Sequence, residues 1–264
     1  MTGSSTSVMP VLFVGHGNPM NSISNNKYTR GWAELGKRLP GPKAILAISA
    51  HWYVPETSVT VLDPQRTIHD FYGFPDQLYQ IEYPAAGSPE LAARVADLLA
   101  PHPVKLDRQW GLDHGTWSVL RHIYPQAPVP VIQLSLDRKK TPEEHYRLGE
   151  KLAALRNEGV LIIGSGNIVH NLGAFNWSNP GIAPPGWAVD FEEWNRSKFL
   201  TGETAALIDY PETGTLAALS APTPDHYLPL LYVAALAAPA DEISFPVEGF
   251  DGGSMSMLSV QVGA

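Results

Sequence analysis

Three apolar runs in this chain each lead to a histidine, and that repeated arrangement restricts the fold more than any other feature. Val11-Leu12-Phe13-Val14 reads as a buried strand and stops at Gly15-His16-Gly17-Asn18-Pro19, which neither a strand nor a helix continues. Ala44 to Ala50 repeats the pattern and runs into His51-Trp52-Tyr53. Val160 to Ile163 repeats it again and ends in Gly164-Ser165-Gly166-Asn167-Ile168-Val169-His170. The glycines beside His16 remove side-chain bulk and open backbone angles closed to other residues, so a ligand can approach that imidazole closely. The expected fold is α/β, a single domain with a central mostly parallel or mixed sheet flanked by helices. Its histidines then sit at the carboxyl ends of strands, where open α/β sheets place ligands.

The segments between these runs carry helix signals. Tyr28 to Leu39 has helical spacing at Trp32, Leu35 and Leu39, and Ser88-Pro89-Glu90 is a cap followed by proline at the first helical position. Thr141-Pro142-Glu143-Glu144 matches a capping box for a helix reaching about Asn157, and Asp113 is a candidate cap for a helix through Val119 and Leu120. Val59 to Leu62 and Val129 to Leu136 read as further strands, and Trp187 to Leu200 as a helix. Thr223-Pro224-Asp225-His226-Tyr227 opens an apolar helix over Leu228 to Ala238, with His226 expected in its first turn, where the dipole keeps an imidazole neutral. Gly252 to Val260 reads as a last strand. The turn at Gly164 lacks the third glycine of a dinucleotide fingerprint and any phosphate-loop lysine, so it delivers His170 and no nucleotide.

Composition narrows the chemistry. The 264 residues include no cysteine, so disulfides, thiolate metal sites and cysteine nucleophiles are excluded and any metal must be held by His, Asp or Glu. The 18 basic against 26 acidic residues give a net charge of −8, which offers no footprint for nucleic acid or an anionic membrane. Leu230 to Ala238, the longest apolar stretch, is far shorter than the roughly 20 residues of a membrane span. Met1 to Ser7 lacks the basic and apolar regions of a signal peptide. A soluble cytoplasmic protein, monomer or small homo-oligomer, is expected, with a flexible N-terminus over 1–8 and one domain over 9–264.

Imidazoles from His16, His51, His170 and His226 converging without thiolates suit zinc or iron(II), and three ligands leave positions open for substrate. Such a site serves either a zinc hydrolase or an oxygenase, and a non-catalytic metal-binding scaffold is a third possibility. His69-Asp70-Phe71-Tyr72-Gly73-Phe74-Pro75 is an aromatic loop that reads as either a packed surface loop or a pocket wall.

Six motifs taken in order are specific where each alone is weak. Pro-Val-Leu-Phe-Val-Gly-His-Gly-Asn-Pro-Met, Ile-Ser-Ala-His-Trp, Asp-Phe-Tyr-Gly-Phe-Pro, Gly-Leu-Asp-His-Gly-Thr-Trp, Gly-Ser-Gly-Asn-Ile-Val-His-Asn-Leu and Asp-His-Tyr-Leu-Pro-Leu together resemble the DOPA 4,5-dioxygenase branch of the class III extradiol ring-cleaving dioxygenases, from about Met9 to Met257. This is the superfamily of the protocatechuate 4,5-dioxygenase catalytic subunit. The resemblance implies an extradiol dioxygenase domain that opens a catechol such as DOPA with O2, on one divalent metal held by His16, His51 and His226. Fe(II) is the metal expected for activity, and Zn(II) can replace it in a purified sample. His170 is implied as the acid–base residue, close to the metal shell, and His114 lies near the substrate. Asp225 and Glu242 are alternative ligands. The protocatechuate relatives use a glutamate where His226 stands here, which removes a negative charge. Trp52, Phe71, Tyr72, Trp117 and Tyr227 are the candidate walls for the flat catechol ring.

Overall fold

Along Val11–Gly15 (β1) successive side chains point to opposite faces, and both faces are apolar, which commits this strand to the middle of a two-sided sheet. The computed structural model describes residues 8–264, so most of the flexible segment expected over 1–8 lies outside the described residues. In chain order the next elements are α1 (Lys27–Arg38), β2 (Ala44–Val54), β3 (Ser58–Thr60), α2 (Asp76–Tyr79), α3 (Pro89–Leu99), β4 (Lys105–Asp107) and α4 (His114–Ile123). They are followed by β5 (Val131–Asp137), α5 (Pro142–Lys151), α6 (Ala154–Asn157), β6 (Val160–Gly166), α7 (Gly186–Thr201), α8 (Thr204–Ile208) and α9 (Thr215–Ser220). The chain closes with α10 (Leu228–Ala235), β7 (Ile243–Val247), β8 (Phe250–Asp251), β9 (Met255–Ser256) and β10 (Ser259–Val262).

The sheet is mixed and eight-stranded, in the order β4-β3-β5-β2-β6-β1-β10-β7. Its centre, β5-β2-β6-β1, is parallel, while on one side β10 runs antiparallel to β1 and to β7, and on the other β3 runs antiparallel to β5. Phe13, Leu46, Ile48 and Ile162 pack on one face against Leu148 of α5, Phe191 of α7 and Leu231 of α10. Leu12, Val14, Ile45 and Leu161 pack on the other against Trp32 and Leu35 of α1 and Trp117 and Leu120 of α4. No described helix is long and apolar enough to cross a membrane.

Parallel register brings the carboxyl ends of β1, β6 and β2 to one rim, with Gly15 beside Gly166 and Ser165 beside Ser49. The capping signals hold in detail. Ser88 accepts from Leu91 N, Asp113 from Thr116 N, and Thr141 exchanges hydrogen bonds with Glu144. Three expectations change. β2 does not stop before His51 but continues to Val54, because a bulge between Ile48 and Tyr53 absorbs the extra residues against β5. His226 precedes α10 instead of lying in its first turn, and no side chain caps that helix. The closing segment is a β8–β9 hairpin followed by β10, turning through Gly252 and Gly253, whose φ values of 56° and 78° suit glycine.

Glu192 of α7 is buried among apolar residues and accepts a hydrogen bond from the Ser256 hydroxyl. Burial pushes its carboxyl up to about 7, so folding favours its protonated form. That stabilisation is complete below the ordinary glutamate range and is lost as pH rises through about 7. Glu192→Gln is therefore expected to be more stable than the parent at pH 8, by on the order of 1–3 kcal/mol, with the gap closing by about pH 5. Urea unfolding of both proteins at the two pH values checks this, and a gap independent of pH refutes it.

Candidate metal centre

His16 is held at the end of β1 by its backbone N–H, which donates to Gly166 O at 3.1 Å, and by Nδ1, which lies 3.0 Å from Ser165 Oγ. The Ser165 hydroxyl donates its own proton to Gly115 O at 2.5 Å, so it can only accept from His16. Nδ1 therefore carries the ring proton and Nε2 the lone pair. Gly17 follows with φ 66°, and a Cβ there would meet the Asn21 amide and Met257 sulfur, so the turn after His16 requires glycine.

His51 Nδ1 faces Asp70 Oδ2 at 3.3 Å, an ion-pair contact without hydrogen-bond geometry, so Asp70 does not fix the His51 tautomer. The His51 Nε2 lies 3.0 Å from His16 Nε2. The other Asp70 oxygen accepts the His114 backbone N–H at 2.8 Å and lies 3.0 Å from His114 Nδ1. Burial would raise the Asp70 carboxyl, but its contacts with His114 prevail and hold it below the ordinary aspartate range. Asp113 fastens α4 to the sheet by accepting from Ser49 Oγ at 2.7 Å and from Gln133 Nε2. Burial and the nearby Asp70 charge push this carboxyl up to about 7.

His226 donates from Nδ1 to Asp225 Oδ2 at 2.5 Å, and its Nε2 is buried with no hydrogen-bond partner. Burial opposes ionisation of Asp225, yet the hydrogen bond from His226 holds that carboxyl far below its ordinary range. The His226 loop is tied to β6 by Asn167 N donating to His226 O at 2.9 Å. His170 stacks on His226 with centroids 3.5 Å apart and planes within 4°, and its backbone N–H is fixed to Ser220 O. Burial and the neighbouring His226 push His170 down to about 2, and His16 and His51 are also lowered, first by burial and then by one another and their histidine neighbours.

The five predicted histidines share one cavity of about 330 Å³. Phe71 and Tyr72 line it as predicted, and the sequence reading missed Phe74, Leu172, Trp177 and Met255, which line it too. Trp52, Trp117 and Tyr227 do not line it. Trp52 stacks on Trp110, Trp117 donates to Ile68 O, and the Tyr227 hydroxyl donates to Asn195, so each is spent in the core. Glu242 is exposed and away from the cavity, and Asp225 is committed to His226.

The donor set fits a divalent metal. The imidazoles of His16, His51 and His226 have ring centroids within 5.3 Å of one another, and those of His16 and His226 have Nδ1 engaged by Ser165 and Asp225, which leaves Nε2 as the ligand atom. The His16 and His51 Nε2 atoms stand 3.0 Å apart, close enough for both to reach one cation. By donor distance alone the tightest described group is His16, His51 and His114, whose ligand atoms lie within 4.8 Å of one another. The His226 Nε2, buried without a hydrogen-bond partner, is a further candidate donor beside them.

A mixed sheet that gathers buried histidines at one rim, under an apolar cavity, defines an α/β metal-site enzyme. Residues 7–252 match the catalytic LigB subunit of aromatic ring-opening dioxygenase, and the chain belongs to that family. It is 49% identical to a 4,5-DOPA dioxygenase extradiol from Escherichia coli K12 over 265 residues, covering 98% of this chain and 96% of that one. It is 40% identical to the protein of the same name from Beta vulgaris, covering 96% of both. The crystal structure of an uncharacterized protein from Escherichia coli K12 superposes with a TM-score of 0.84 at 45% identity, covering 97% of this chain and all of that one.

Gly115 permits α4 to lie against β2, since a Cβ there would stand 2.6 Å from Ser49 Oγ and 3.0 Å from the His51 ring. Gly115→Ala is expected to lose about 1–3 kcal/mol of stability and to displace His51. Metal content by mass spectrometry after loading should fall below half of the parent's by the same displacement, roughly the loss a misplaced ligand brings. Parental metal content with parental stability would show that His51 does not depend on this contact.

Proposed function

We propose that this protein is an extradiol dioxygenase that opens the ring of a catechol such as DOPA, with His16, His51 and His226 as metal ligands, His170 as acid–base residue and His114 beside the substrate. The observation that supports this most directly is the gathering of the His16, His51 and His226 imidazoles, with Nδ1 of His16 and His226 engaged by Ser165 and Asp225, in a cavity walled by Phe71 and Tyr72. When bound, Fe(II) would supply both a Lewis acid for the catechol oxygens and one-electron chemistry towards O2, whereas zinc offers only the first.

The chain's own groups do the rest. Phe71 and Phe74, edge-to-face at 5.5 Å, offer a flat apolar wall that orients an aromatic ring and excludes water. His170 is neutral at working pH, so its lone pair can take a proton from a catechol hydroxyl. The catecholate produced adds negative charge beside the imidazole, which raises its proton affinity and makes the imidazolium a usable acid later in the cycle. His114, held by Asp70 against the same cavity, donates towards substrate or oxygen. Both oxygen atoms enter the product, and the ring opens beside the hydroxyl pair.

The test is oxygen uptake with simultaneous visible absorbance, on metal-stripped protein reloaded separately with Fe(II) and Zn(II), against a panel of substituted catechols. The expected result is equal consumption of O2 and catechol with iron alone, a yellow product, and a fall of about a hundredfold or more in His170→Ala. No uptake with any catechol, or hydrolysis of an ester or amide with zinc, overturns it.

A further inference from the structure

A second cavity adjoins the histidine cavity, sharing Asn18, Phe74 and Trp177 with it, and contains the carboxylate of Asp251. Neither lining holds a lysine or arginine. Asp251 is largely buried, at 9% exposure, and the described residues give it no ion pair. Its Oδ2 accepts from Asn18 Nδ2 at 2.9 Å, and no described side chain donates to Oδ1. Asn18 cannot turn away, because its own Oδ1 accepts the Met20 N–H at 2.9 Å. A buried carboxylate in a cavity wall without a cation is costly, and here burial raises its proton affinity.

The position of this carboxylate relates it to the reaction. Asn18 lies two residues beyond His16, so their Cα atoms are at most about 7 Å apart, and Asp251 is one hydrogen bond further on. Trp177 and Phe74 line both cavities, so the apolar boundary they share lies between the imidazoles and the carboxylate. A ring seated at the histidines would direct a short para side chain across this boundary. The chemistry on its far side is one anion with amide and hydroxyl neighbours, among them Asn21, Ser24 and Asn26, which favours a protonated amine and gives no cation to a carboxylate.

We propose that Asp251 is the specificity-determining residue, binding the ammonium group on the substrate's side chain, so that the enzyme selects catechols bearing an amine tail over those bearing only a carboxylate. This rests on the histidine cavity being the seat of the ring. It explains why so polar a residue is kept beneath the Gly252-Gly253 turn: the β8–β9 hairpin holds the carboxylate where Asn18 meets it.

Two measurements on the metal-loaded protein test it. Calorimetric titration with tyramine and with 3-(4-hydroxyphenyl)propionate, neither of them a catechol, should give tyramine the tighter binding by about tenfold, as expected for a charge-assisted hydrogen bond. In steady-state kinetics the ratio of kcat/KM for dopamine to that for 4-methylcatechol should fall by about tenfold in Asp251→Asn and be kept in Asp251→Glu. Equal or tighter binding of the propionate overturns the proposal, as does an unchanged ratio, since a purely structural role for Asp251 lowers both substrates together. Tyramine preference without turnover of any catechol would sink the dioxygenase reading and leave the amine subsite standing. Catechol cleavage without amine preference would do the reverse. Should Asp251→Asn fail to fold, the calorimetric comparison on the parent protein still decides.

Discussion

The site depends on where a few ring protons sit. An imidazole can point a lone pair at a metal only if its other nitrogen keeps the proton, and in this chain that choice is imposed from outside each ring. Ser165 can only accept from His16 because its hydroxyl proton is taken by Gly115 O. Asp225 imposes the same tautomer on His226 by accepting from its Nδ1. The two partners come from different parts of the fold, namely β6 and the turn before α10. The tautomers are thus a consequence of tertiary structure, and the parallel register of β1, β6 and β2 is what makes them possible.

Much of this was legible in the sequence because it is local. Buried strands announce themselves by apolar runs, and caps by residue type and spacing, so Ser88, Asp113 and Thr141 were found together with the helices they begin. The convergence of His16, His51, His114, His170 and His226 could be anticipated because strand ends in such sheets share a rim. What escaped depended on contacts between distant residues. No pattern around Asp70 shows that its two oxygens serve His51 and His114, and none around Ser165 shows that its hydroxyl is already engaged. The bulge that carries β2 past His51 depends on β5.

The aromatic residues show the same boundary from the other side. Trp52, Trp117 and Tyr227 flank histidines in sequence, which made them natural walls for a ring. In a strand the next residue points to the opposite face, and Trp52 accordingly turns from His51 into a stack with Trp110. Trp117 and Tyr227 face inwards and satisfy their polar atoms on Ile68 O and on Asn195 and Leu207 O. Phe71 and Tyr72 reach the cavity because they belong to a loop, free of that alternation, and Tyr72 is 93% exposed. Adjacency to a functional residue is therefore a poor guide inside regular structure and a better one outside it.

Charge placement ties the site to its chemistry. Where the protocatechuate relatives have a glutamate ligand, the proposed set here has His226, and on sequence alone that exchange removes an anion. In the structure the charge is displaced outwards by one ring, because the hydrogen bond from His226 Nδ1 holds Asp225 ionised. A carboxylate bound directly to a metal competes with a catechol oxygen for positive charge. The same carboxylate behind an imidazole still offsets the divalent charge and makes the imidazole a stronger donor. It also leaves the inner positions to anionic substrate oxygens. In the proposed arrangement imidazoles face the substrate and the balancing anion of Asp225 stands behind one of them, which suits a site that must accept a catecholate without being neutralised before it arrives.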